Sequence, residues 1–141
     1  MRNCIFFVLL LAMPVIVFAQ KPGRYMAVEE QFVKYYNAQM SDSLLTLFTP
    51  QHREYGTWSE QSLEKMHKEQ GKILSFKYMY MSHDLPDTKG RPMALFKVTF
   101  SKTFDGSNVH AMGVSLTKDN RIFGVRFTTS NPKLDAELAK Y

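Results

Sequence analysis

Between Lys72 and Thr129, apolar and polar residues alternate in four runs. In 72–82 the even positions are Leu74, Phe76, Tyr78 and Tyr80, against Ile73, Ser75, Lys77, Met79 and Met81. In 93–104 they are Ala94, Phe96, Val98, Phe100 and Phe104, broken at Lys102. In 108–117 one face carries His110, Met112, Val114 and Leu116. In 121–129 the apolar set is Phe123, Val125 and Phe127. A period of two predicts four strands, each with one buried face. Their Phe, Tyr and Val content suits a pleated surface. The links Asp84–Gly90, Asp105–Asn108 and Lys118–Asn120 are short and rich in turn residues, so the strands should run as an antiparallel meander.

Upstream the period changes to that of a helix. From Tyr25 to Met40, Val28, Phe32, Tyr35 and Tyr36 share one side, and Glu29, Glu30, Lys34 and Asn37 face away. Leu44, Leu47 and Phe48 mark a short second helix that Thr49-Pro50 ends, and 51–56 reads as a loop. Thr57-Trp-Ser-Glu60 fits a capping box. It opens a third helix with Leu63, Met66 and His67 inward, a Glu64–Lys68 surface pair, and Gly71 closing it in a left-handed conformation. In the tail 130–141, Asn131-Pro132 reads as a helix start, with Leu134 and Leu138 one turn apart. The fold class expected is α+β: three N-terminal helices packed on a curved, roughly four-stranded antiparallel sheet.

The first 19 residues read as a signal peptide. Arg2 supplies the positive start, Ile5–Phe18 is apolar apart from Pro14, and Val17-Phe-Ala19 is a cleavage signal. The apolar run is short for a membrane span, and no transmembrane span is expected once the leader is gone. An exported domain, periplasmic or secreted, is therefore expected. Removing 19 residues from 141 leaves 122, enough for one domain over 20–129 and a tail over 130–141. Arg2 is the only charge lost, so the formal net charge falls from +5 to +4. The one cysteine, Cys4, leaves with the leader, which excludes disulfides, thiol nucleophiles and thiolate metal sites.

The layout resembles the nuclear-transport-factor-2-like superfamily, and within it small secreted bacterial domains of unknown function. The residues that carry the likeness are Phe32-Val-Lys-Tyr-Tyr-Asn37, Ser41-Asp42, Leu47-Phe48-Thr-Pro50, Ser59-Glu-Gln-Ser-Leu63 and Gly71-Lys-Ile-Leu-Ser75. Ser41-Asp42 stands where that family often has Gly-Asp. The resemblance covers Met26 to Thr129 and implies a cone, with a curved sheet wrapped around the first helix. Its members include isomerases, dehydratases, polyketide cyclases and non-catalytic binding or dimerisation modules, so fold alone does not choose a function.

In the catalytic branches of such a family an inward Asp, Glu or His acts as a base. Here Asp84, Asp87, Asp105 and Asp119 fall in turns, and inward carboxylates are nearly absent, which counts against paired-carboxylate chemistry. His110 is the one inward titratable residue in the strands. It is either a base or orienting donor, or a core histidine satisfied by a neighbour. Tyr35, Trp58, Tyr78, Tyr80, Phe96, His110, Met112 and Phe123 are the expected lining of an apolar cavity for a small apolar ligand; plain core packing is the competing reading. Met79, Met81 and Leu95 fall outward and suggest a homodimer through the outer sheet face, unless the tail covers them. His52, His67, His83 and His110 have no metal-ligand spacing, so no metal site is read. No cofactor motif and no nucleic-acid face are read either. The function expected is an exported, non-catalytic binding or dimerisation module. The alternative is a small isomerase- or hydrolase-like enzyme using His110 with Tyr78 or Tyr80.

Overall fold

The computed structural model describes residues 22–55, 58–83, 91–128 and 132–141. The expected leader at 1–19, Thr57 of the expected capping box and the 84–90 turn lie outside them. The element order is α1 (Gly23–Asn37), α2 (Ser41–Leu45), α3 (Pro50–Tyr55), α4 (Glu60–Gln70), β1 (Ile73–Ser82), β2 (Met93–Phe104), β3 (Ser107–Leu116), β4 (Ile122–Thr128) and α5 (Pro132–Leu138). The strands form one antiparallel sheet in the order β1-β2-β3-β4. The α+β class and the meander are as the alternation predicts.

The helices differ in detail from their sequence reading, each for a local reason. The stretch 51–56, expected as a loop, contains α3. Pro50 opens it, at the first helical position, where the missing N–H costs nothing. The capping box of α4 is shifted by two residues. Ser59 is the N-cap: its hydroxyl accepts from the Ser62 amide, and the Ser62 hydroxyl accepts from the Ser59 amide. Glu60 is thereby the first residue of the helix rather than the partner of Thr57. The ion pair on α4 is Lys65 with Glu69 at 3.9 Å, in place of Glu64 with Lys68.

Of the four register shifts in the sheet, three, two in β1 and one in β4, decide which side chains enter the core. In β1, Ile73 pairs with Phe100 but Ser75 with Thr99, so Leu74 is the extra residue. Ile73 is therefore buried and Leu74 is 65% exposed, the reverse of the strict alternation. The same happens between Tyr78, opposite Phe96, and Tyr80, opposite Leu95. Past that point Met81 faces the core, and Tyr80 packs with Met79 on the other side. In β4, Leu116 pairs with Ile122 and Ser115 with Gly124, which leaves Phe123 as the extra residue and gives Ile122 the buried place. A bulge sets two residues against one and shifts the period of two by one residue.

The core lies between the inner sheet face and the helices. Phe32, Leu44, Phe48, Phe96, Val98, Phe100, Met112 and Ile122 are fully enclosed there. The outer face is covered in part by α5: Leu138 buries Met79 and Ala111, with Tyr80, Leu95, Val109 and Tyr141 at the margin. Lys97 donates to the Leu138 carbonyl at the end of α5, a cation placed where the last carbonyls of a helix need partners, and Lys77 donates to the Tyr141 carbonyl beyond it. The expected apolar patch is thus divided. Met81 is an inner-face residue, and Met79 lies under the tail.

Asn37, at the end of α1, fastens the helix to the sheet. Its amide nitrogen donates to the Ile73 carbonyl and its amide oxygen accepts from the Ile73 N–H, both at 2.8 Å. The side chain thus copies one rung of a strand ladder at the start of edge strand β1. Asn37→Ala is expected to cost roughly 2 kcal/mol, because it strips two partly buried backbone groups of their partner. Urea unfolding checks this, and a variant within about 0.5 kcal/mol of the parent would remove the clamp from the stability argument.

Candidate functional site

Among the described residues, the interior holds a charged-type side chain that the sequence reading placed on the outside. Glu29 is 1% exposed. It falls on the buried stripe of α1, with Tyr25 four residues before it, Phe32 three after and Tyr36 seven after. Its Oε1 has no hydrogen-bond partner. Burial raises its pKa from 4.5 to about 8, so the carboxyl is largely protonated at neutral pH. The i, i+3, i+4, i+7 relation to aromatic neighbours was readable in the sequence. The ordinary rule that Glu stays outside hid it.

His110 faces inward, as expected, and is buried. Its Nε2 lies 3.0 Å from the Ser107 carbonyl, within its own hairpin, and its ring meets Phe100 and Phe104. It is a satisfied core histidine at the Phe100 end of the sheet. Tyr36 also contacts Phe100, and Glu29 lies seven residues back along α1, about 10 Å at a helical rise. Glu29 and His110 therefore belong to different parts of the interior.

The other expected lining residues separate in the same way. Phe96 and Met112 are fully enclosed core residues. Trp58 is wedged among Phe32, Phe48 and Phe127, with ring centroids 5.4 to 6.2 Å away. Tyr78 is half-buried, edge-on to Phe96 at 5.9 Å, and burial raises its pKa. Tyr80 is on the outer face beside α5. Phe123 is outside the main core, with the Arg91 guanidinium over its ring at 3.9 Å. Tyr35, of these residues, borders the cleft described next.

That cleft lies between the C-terminal end of α1, α2 and the first two turns of α4. It is small, with a cavity volume of about 70 Å³, and opens to solvent. Tyr35, Leu44 and Leu63 supply apolar wall, Met40 and Gln39 stand on one side, and Glu60, Glu64 and His67 on the other. The chain reversal after α1 shapes it. Met40 N–H reaches the Tyr35 carbonyl and Gln39 N–H the Tyr36 carbonyl, the two bonds of a Schellman motif. The left-handed residue is Gln39, at φ 56°, where glycine is usual. Met40 is left 47% exposed beside the opening.

His67 forms the inner corner. Its Nε2 is enclosed without a partner, and its ring lies 5.4 Å from Tyr36, whose hydroxyl donates to the Gly71 carbonyl. Burial lowers the His67 pKa, and Lys102 and Lys72 lower it further, so the ring is neutral at pH 7. Among the described residues, neither Glu60 nor Glu64 has an ion-pair partner. No group of three or more His, Cys, Asp or Glu is placed to hold a metal ion among those residues. No helix there is long and apolar enough to cross a membrane. No family model, curated protein or solved structure matches the chain.

Proposed function

We propose that the chain is an exported, non-catalytic binding module that takes a small molecule in the cleft between α1, α2 and α4. The observation that carries this is the cleft itself: a small opening to solvent whose surface is more polar than apolar, bordered by Glu60, Glu64 and His67 and entered past an exposed Met40. Gln39 in the left-handed region supports it, since strained backbone away from glycine concentrates at functional turns. The order of helices followed by a meander agrees with a nuclear-transport-factor-2-like cone, and export rests on the leader pattern. A homodimer through the outer face would need α5 to lift from Met79.

A catalytic reading has one observation in its favour, the protonated and unpartnered carboxyl of Glu29. It needs a substrate inside a space that Phe32, Phe96, Phe100 and Met112 already fill, so binding in the cleft is the stronger reading. Amide NMR of the purified protein against a library of fragment-sized amphiphiles tests it, with the mass in solution recorded. Shifts should gather at Tyr35, Gln39, Met40, Leu44, Leu63 and His67. Shifts centred on Phe96, His110 and Met112 would return the site to the interior, and none at all would end the reading.

A further inference from the structure

We infer that the outer face of the sheet is a docking site for the end of a helix, filled by α5 of the same chain and, by exchange, by α5 of a second copy. One row of residues crosses that face. Thr128 pairs with Ala111, Ala111 with Lys97 and Lys97 with Lys77, so the row runs from β4 to β1. The tail follows it. The chain leaves β4 at Thr128, and α5 begins at Pro132. Leu138 packs on Met79 and Ala111. The Leu138 carbonyl then accepts from Lys97 at 3.0 Å and the Tyr141 carbonyl from Lys77 at 2.8 Å. The row is about 14 Å long at the usual strand spacing, a distance that a short helix and the residues after it can cover.

The face is poorly suited to standing empty. Lys77 and Lys97 are directly opposite each other on neighbouring strands, and like charges so placed repel. The end of a helix carries partial negative charge, which relieves them. Without it Met79 and Ala111, both buried now, would face water beside two ammonium groups. The helix depends on the face in turn. Its seven residues are too few for a stable helix alone, and among its described residues Leu138 alone is buried. A second copy's α5 carries the same leucine and the same carbonyls, so exchange keeps these contacts and adds only the cost of association. Pairing two bare faces would instead bring two lysine pairs together. The tether gives α5 an effective concentration on the order of mM at its own face, so the parent should be monomeric at micromolar concentration.

Mixing two full-length variants tests this. Leu138→Asp spoils α5 and keeps the face. Lys77→Glu with Lys97→Glu spoils the face and keeps α5. Each alone should sediment as a monomer, and the two mixed at about 100 μM should double in mass, because neither α5 is held at its own face. Amide signals of Met79, Leu95, Lys97 and Ala111 in the Leu138→Asp copy should return towards their parent positions on mixing. Thermal midpoints verify that both variants fold. Leu138→Ala replaces the first if it does not, and a synthetic peptide of residues 130–141 replaces the second, with the same four signals as readout. A mixture that keeps the monomer mass and leaves those signals unmoved would overturn the inference. So would either variant dimerising by itself, which is pairing without exchange. The helices that form the cleft pack on the other side of the sheet, so failure here leaves the cleft reading standing.

Discussion

Replacing Glu29 by Gln should open a stability gap over the parent that widens by about 4 kcal/mol between pH 4 and pH 8. The folded pKa of Glu29 is raised from 4.5 to about 8 by burial. Its protonated form is the one that folds, so its contribution is fully present below pH 4.5. It is lost as pH rises, and the loss is complete above pH 8. At about 1.4 kcal/mol per unit, 3.5 units correspond to roughly 4–5 kcal/mol. The Gln amide keeps the shape and cannot ionise. His52 and His67 have lowered pKa values and run the opposite way below pH 6.5, but both proteins carry them, so the difference between the two isolates Glu29. Urea unfolding at intervals across this range is the measurement. Parallel curves for parent and variant would mean that water or a cation reaches the carboxylate, against the unpaired burial described above.

The second large effect is expected at Gly71. Its φ of 75° and ψ of −153° lie in a region essentially reserved for glycine, not in the left-handed helical well that the sequence suggests for a helix end. A Cβ there would stand 2.1 Å from Ser101 Oγ and 3.1 Å from Lys102 Cγ. The Ser101 hydroxyl cannot turn aside freely, because it accepts the Lys72 N–H at 2.9 Å. The Gly71 carbonyl also receives the Tyr36 hydroxyl, and its N–H meets the His67 carbonyl. Gly71→Ala should therefore cost roughly 3 kcal/mol or more, lowering the thermal midpoint by about 10 °C or more. Adding Ser101→Gly should recover part of the loss by removing the contact but not the backbone strain. A Gly71→Ala protein within about 1 kcal/mol of the parent would show that the turn relaxes.

The strands were legible because alternation reports a half-buried sheet directly, and Phe96, Val98, Phe100, Met112 and Val114 sit where it puts them. Leu74, Tyr80 and Phe123 depart from it for one cause: each lies at a bulge, and no residue type announces an extra residue in a ladder. Phe104, read as inward, is exposed at the hairpin end of β2, where the pairing with β3 is also irregular. Glu29 was hidden for a different reason. Its spacing marked it as inward, but its chemistry argued for solvent, and spacing won because the aromatic stripe on both sides of it had to be buried. The cleft was legible only through Tyr35. Its remaining walls come from three helices whose mutual placement depends on the Gln39 reversal and on an N-cap at Ser59.

The bulges also bear on how copies of this chain meet. A free sheet edge attracts another edge when it offers a straight row of amides and carbonyls. Edge strand β1 offers no such row. Its first rung is taken by Asn37, and its spine is bent at Leu74 and again past Tyr78. At the opposite edge, Phe48 bridges to Ile122 and occupies the start of β4. A neighbouring sheet would find each border interrupted, a built-in obstacle to stacking into fibrils when the protein is crowded.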